Sequence, residues 1–128
     1  MVTRLPLRVW IVEPHDDLRT MLGEVAPPDA EVLDEADFTR RIESGSRPDA
    51  LLIDGSTLLR LDGERPALDG TLRTLVVTGR PADDLPGPYL DRPSVRLLRK
   101  PFEIDEVERG LAWLTGSDDD GWAEPLTR

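Results

Sequence analysis

The sequence predicts an α/β domain, a single doubly wound sheet of five parallel strands with helices on both faces. Two observations carry that prediction. Five short runs rich in β-branched and aliphatic residues are apolar nearly throughout, as strands covered on both faces are. Between them lie amphipathic or proline- and glycine-punctuated segments, and parallel strands need such crossovers, which are right-handed. The 128 residues suffice for one real core but hardly two. One domain over residues 1–116 is expected, followed by an acidic tail over 117–128.

Leu7 to Val12 is the first strand, stopped by Glu13-Pro14. A helix follows with Leu18, Met21, Leu22 and Val25 at i, i+3, i+4 and i+7, entered through Asp16 or Asp17. Pro27-Pro28 closes it, and Glu31 to Leu33 forms a brief second strand. Asp37 is the expected N-cap of a helix carrying Phe38 and Ile42, with Gly45 as its stop. Ala50 to Ile53 is the third strand and ends on Asp54-Gly55. One short helix is expected between Ser56 and Leu72, where Gly63, Pro66 and Gly70 limit regular structure. Leu75 to Val77 is the fourth strand, ending on Thr78-Gly79. Pro81, Pro86, Pro88 and Pro93 then make a long helix improbable. Val95 to Leu98 is the fifth strand, broken by Lys100-Pro101. The last helix carries Ile104, Val107, Leu111 and Leu114 on one face, with Asp105 and Glu108 as its capping box and Gly116 as its end.

Composition narrows the function classes. A formal net charge of −10 repels nucleic-acid phosphates and anionic lipid, so neither is expected as a partner, and a bound cation is more natural. The absence of cysteine removes disulfides, thiolate zinc sites and thiol chemistry. Residues 1–6 lack the apolar run of a signal peptide, and no stretch approaches the length needed to span a bilayer. The cytoplasm is the expected compartment.

In doubly wound sheets ligands gather at the carboxyl ends of the strands. Four of the five strands close on Glu13, Asp54, Thr78 and Lys100, which should converge although they lie far apart in sequence. Two carboxylates with a backbone carbonyl suit a hard cation such as Mg²⁺. A carboxylate can attack phosphorus to give an acyl phosphate, while a hydroxyl and an ammonium stabilise the equatorial oxygens.

An acidic residue after the first strand, Asp54 after the third, Thr78 after the fourth and Lys100-Pro101-Phe102 after the fifth resemble the pattern of response-regulator receiver domains. The likeness covers roughly residues 7–115. It implies the flavodoxin-like strand order 2-1-3-4-5. It also implies roles: Asp54 as phosphoacceptor, Glu13, Asp54 and Ser56 as Mg²⁺ ligands (Ser56 through its carbonyl), Lys100 as the phosphoryl contact and Thr78 as the switch hydroxyl. A cis Lys100-Pro101 bond would turn Lys100 back into the pocket. The implied partners are a sensor histidine kinase or phosphotransfer protein and a downstream protein. No enzyme activity is implied beyond the domain's own phosphorylation and dephosphorylation.

The sequence departs from that pattern in four places. Pro14 follows Glu13 where the family has a second acidic residue, so weakened Mg²⁺ binding is expected unless Asp16 or Asp17 swings in. Leu97 stands where the family has its aromatic switch residue. The interval from Asp54 to Thr78 is several residues short, and prolines 81–93 fall on the family's fourth helix. Pro14, Leu97 and the proline-broken fourth helix favour an alternative, a pseudo-receiver that binds partners without being phosphorylated.

Blander readings stand beside the sharp ones. Asp54 alone can be a strand-ending residue that caps the next turn. His15, the only histidine, lacks a cysteine or second histidine to complete a familiar metal site and reads as a solvated loop residue. Asp118 to Asp120 read as a solvated charge run, and Trp10 and Trp113 as core. Ser56 and Arg80 lie where the family tunes the lifetime of its acyl phosphate. Asp54-Gly55-Ser56-Thr57 also resembles the nucleophile loop of haloacid-dehalogenase-like phosphatases, but that chemistry wants a second aspartate where Ser56 stands.

Overall fold

A computed structural model describes residues 8–60, 72–79 and 94–116. The described elements, in chain order, are β1 (Val9–Val12), α1 (Asp16–Val25), β2 (Glu31–Leu33), α2 (Glu35–Glu43), β3 (Ala50–Asp54), α3 (Gly55–Arg60), β4 (Arg73–Thr78), β5 (Val95–Arg99) and α4 (Ile104–Leu114). The strands form one sheet in the order β2-β1-β3-β4-β5, and every pair is parallel. Trp10 lies opposite Leu51, Ile53 opposite Val76, and Val76 opposite Leu97. The predicted fold class and strand order are those observed.

Alternation along each strand divides the core in two, because successive side chains of a strand point to opposite faces. Trp10, Val12, Leu51 and Ile53 pack with Phe38 and Leu58 on one face. Val9, Ile11, Leu52, Leu75 and Val77 pack with Leu22, Val107 and Leu111 on the other. All residues of β1 and β3 are buried, so both faces of the sheet's centre are covered. Each such Val, Leu or Ile side chain stabilises the fold by about 1.5–3 kcal/mol. Trp10 and Trp113 serve the core as expected, and each is flanked by two guanidiniums, Arg8 and Arg41 on Trp10 and Arg73 and Arg96 on Trp113.

Several boundaries move for local reasons. The first strand begins at Val9, with Leu7 outside the described residues. The fourth extends to Arg73–Thr78, its polar Thr74 buried through a hydroxyl bond to the Leu72 carbonyl at 3.1 Å. The fifth runs one residue further, to Arg99. His15, not an aspartate, is the N-cap of α1; Asp16 and Asp17 fill its first turn, where negative charge favours the helix dipole. Asp34, not Asp37, caps α2, accepting the Asp37 N–H at 2.8 Å. The capping box of α4 is Glu103 with Glu106, two residues earlier than Asp105 and Glu108. Ile104, placed on the apolar face by its spacing, is instead exposed at the helix start. Gly45 and Gly116 do end their helices, both at positive φ, which suits a residue without a side chain. The expected short helix is α3, and the rest of that segment, the proline-rich stretch, Arg80 and the tail lie outside the described residues. No described helix is long and apolar enough to cross a membrane.

Candidate functional site

The parallel ladder continues one residue past two strand ends and so positions the site. The Glu13 N–H donates to the Leu33 carbonyl at 3.1 Å, and the Lys100 N–H to the Thr78 carbonyl at 2.9 Å. Glu13, Asp54, Thr78 and Lys100 therefore stand together along the carboxyl edge of the sheet. The Lys100-Pro101 peptide bond is cis, as the family likeness implied.

Asp54 is buried and fully engaged. Its Oδ2 accepts the N–H groups of Ser56 at 3.0 Å and Thr57 at 3.2 Å, and its Oδ1 accepts from Lys100 Nζ at 3.1 Å. One oxygen fixes the turn into α3, as the capping reading has it, and the other faces the ammonium. Ser56 is half-buried beside it. Thr78 is buried at the end of β4, joined to Lys100 through the backbone.

Glu13 is fully buried and engaged on one side only. Its Oε2 accepts the His15 N–H at 3.0 Å and lies 2.8 Å from His15 Nδ1. Its Oε1 is buried without a hydrogen-bond partner among the described residues, with Lys100 Nζ at 3.9 Å. Among the described residues two buried carboxylates thus share one ammonium, an arrangement that leaves negative charge uncompensated in a low-dielectric setting. A cation answers that imbalance, and one ligand atom each from Glu13, His15 and Asp54 lie within 4.8 Å of one another. The chemistry of the donors and the orphaned oxygen both fit a divalent ion.

Three residues beyond the expected set shape the site. His15 is largely exposed, as a loop histidine should be, yet its ring is tied to Glu13. Arg19 Nη1 donates to the carbonyls of Glu13 at 2.9 Å and Pro14 at 3.3 Å, clamping the turn after β1. It also pairs with Asp16, whose side chain is 86% exposed. Asp16 therefore does not swing into the pocket, and Asp17 is exposed too. Arg60 pairs with Glu35, whose carboxylate holds the guanidinium above its ordinary pKa, with a smaller push in the same direction from the Asp54 charge. Leu97, in place of the family's aromatic residue, packs against the core cluster around Trp10. The signal for His15 was its place two residues after Glu13; Arg19 and Arg60 had none beyond their position on helices.

No family model matches the sequence, and no curated protein does. Solved structures do. A signal receiver domain of an HD domain-containing protein from Pseudomonas fluorescens Pf-5 superposes with a TM-score of 0.59 at 15% identity, over 84% of this chain and 93% of that one. The receiver domain of Nitrogen Regulatory Protein C, in its BeF3-activated form, gives 0.52 at 21% identity, over 83% and 94%. NtrX from Brucella abortus gives 0.53 at 15% identity, over 84% of this chain and 26% of that longer one. The fold is that of receiver domains.

Proposed function

We propose that this chain is a response-regulator receiver that accepts a phosphoryl group on Asp54. The observation that carries the reading is the Asp54 carboxylate, buried at the end of β3, held by two backbone N–H groups and Lys100, with Glu13 beside it. Receiver domains among the solved neighbours support it at the level of the fold.

An Asp54 oxygen attacks phosphorus, and the bond from phosphorus to the donor's imidazole breaks as the acyl phosphate forms. The Ser56 and Thr57 N–H groups fix the angle of the carboxylate so that a single oxygen is presented. Lys100, already 3.1 Å from that oxygen, pairs with the incoming phosphoryl charge. Thr78 supplies a hydroxyl at the neighbouring strand end. A divalent cation, Mg²⁺ in the first instance, would be held by Glu13, Asp54 and the Ser56 carbonyl, and supplies charge neutralisation for the phosphoryl oxygens. The partners on this reading are a sensor histidine kinase or phosphotransfer protein and a downstream protein met by surface contact, in the cytoplasm. The chain is then not an enzyme beyond its own phosphorylation and dephosphorylation.

A second reading, a phosphorylation-independent interaction module, draws on Pro14, which is half-buried and sets no second carboxylate beside Glu13. Incubation with Mg²⁺ and a small acyl phosphate, followed by intact mass, separates the two. A gain of one phosphoryl group that disappears in Asp54→Asn is the expected result. No Asp54-dependent gain would overturn the receiver reading in favour of the interaction module.

A further inference from the structure

The cation site is not built only of oxygen. Glu13 and Asp54 are buried carboxylates, but the third side chain that reaches them is an imidazole, and their ligand atoms lie within 4.8 Å. Hard cations such as Mg²⁺ select carboxylate, carbonyl and water, whereas imidazole suits borderline cations such as Co²⁺, Ni²⁺ and Zn²⁺. We propose that His15 makes this site selective for a borderline divalent transition cation over Mg²⁺, with Glu13, His15 and Asp54 as its three side-chain ligands. The inference rests on the cation site of the reading above but not on phosphoryl transfer.

Three features support it. The orphaned Glu13 Oε1 is a fully buried oxygen with no hydrogen-bond partner among the described residues, so an acceptor stands ready inside the site. The His15 ring is already placed, because both its backbone N–H and its Nδ1 meet Glu13 Oε2, at 3.0 and 2.8 Å. The turn that carries it is itself fixed by Arg19 on the Glu13 and Pro14 carbonyls.

The chain makes the test clean, since His15 is its only histidine and it has no cysteine. Any imidazole-dependent metal signal must come from this residue. Titrations of the full, unphosphorylated chain with Co²⁺, Zn²⁺ and Mg²⁺, followed by calorimetry and by the visible absorption of Co²⁺, should give a Kd for Co²⁺ at least roughly tenfold below that for Mg²⁺. His15→Ala should narrow that gap by weakening Co²⁺ while leaving Mg²⁺ nearly unchanged, and His15→Asp should narrow it by tightening Mg²⁺. In the unaltered protein, Zn²⁺ should shift the imidazole ¹⁵N resonances of His15, a readout that needs no variant.

Equal affinity for Co²⁺ and Mg²⁺, a gap that His15→Ala leaves unchanged, or unmoved imidazole resonances would each overturn the proposal. The outcomes stay separable from those of the phosphorylation experiment. Asp54-dependent phosphorylation with His15-indifferent cation binding sinks this inference alone. His15-dependent Co²⁺ binding without any phosphorylation sinks the receiver reading alone.

Discussion

The two carboxylates of the site sit at the ends of adjacent strands yet are held in opposite ways. Asp54, at the end of β3, has both oxygens engaged, by Ser56 N–H, Thr57 N–H and Lys100 Nζ. Glu13, at the end of β1, is bound through one oxygen by its own neighbour His15 and keeps the other buried without a hydrogen bond among the described residues. The difference follows from what comes next in the chain. After Asp54 the backbone turns directly into α3, whose Ser56 and Thr57 N–H groups both reach one oxygen while Lys100 Nζ meets the other at 3.1 Å, whereas after Glu13 the His15 N–H reaches one oxygen and Lys100 Nζ stops 3.9 Å from the other. Asp54 is thus a satisfied, oriented group suited to present one oxygen, and Glu13 an unsatisfied one suited to receive a cation.

The largest break in this comparison comes from removing the group both halves share. Lys100 is the ammonium that reaches both buried carboxylates, at 3.1 Å from Asp54 and 3.9 Å from Glu13. Lys100→Met should cost about 2–3 kcal/mol, below the range for a fully buried pair because the lysine side chain is 27% exposed. Divalent cation should restore part of the loss, since it binds the folded state and supplies the missing positive charge. Urea denaturation with and without cation measures both. A loss under about half a kcal/mol would mean that water, not Lys100, compensates the pair.

A smaller effect should differ in sign between the two sites. Glu13→Gln removes a charge that lacks a full set of partners and relieves its repulsion with Asp54, so the cation-free protein should gain about 1 kcal/mol. Asp54→Asn removes a charge whose acceptors are all in use and should lose about 1 kcal/mol. Thermal unfolding of the two variants in chelator reads the pair directly. Shifts of Tm in the same direction would show that the two carboxylates are equivalent after all.

The four strand-end residues, Glu13, Asp54, Thr78 and Lys100, were legible in the sequence, but how each carboxylate is held was not. Asp54 and Lys100 close two-sided apolar strands, and the place of a strand end is set by hydrophobic pattern and proline, both visible along the chain. The strands were readable for the same reason, although their order came from a family likeness. His15 was not legible as a pocket residue, because its tie to Glu13 depends on the turn geometry that Arg19 imposes from one helical turn away. The helix caps slipped by two or three residues, as at Asp34 and Glu103, where acidic clusters offer several near-equivalent capping side chains. Asp16 could not be kept out of the pocket by sequence alone, since only the fold reveals its pairing with Arg19.

The smallest expected effect comes from an exposed pair that serves as a reference for the buried one. Glu31 on the edge strand β2 meets Arg41 of α2 at 2.8 Å, with 46% and 32% of the two side chains exposed. The hydrogen bond from Arg41 holds the Glu31 carboxyl below its ordinary pKa, against a smaller desolvation effect, and raises that of Arg41 in return. A depressed carboxylate stabilises the folded state above its unfolded pKa, about 4.3 for glutamate, and that contribution fades as pH falls below it. Water and salt screen this pair, so Glu31→Gln should cost no more than about 0.5 kcal/mol at pH 7 and progressively less as pH falls through the depressed folded pKa. The cost at Glu31 should also shrink at high salt by a larger fraction than that of Lys100→Met, because the carboxylates that Lys100 meets are buried whereas both side chains of the β2 pair are partly exposed. A salt-insensitive loss at Glu31 that exceeds the loss at Lys100→Met would instead make the β2 edge, and not the buried carboxylates, the stronger electrostatic contact of the domain.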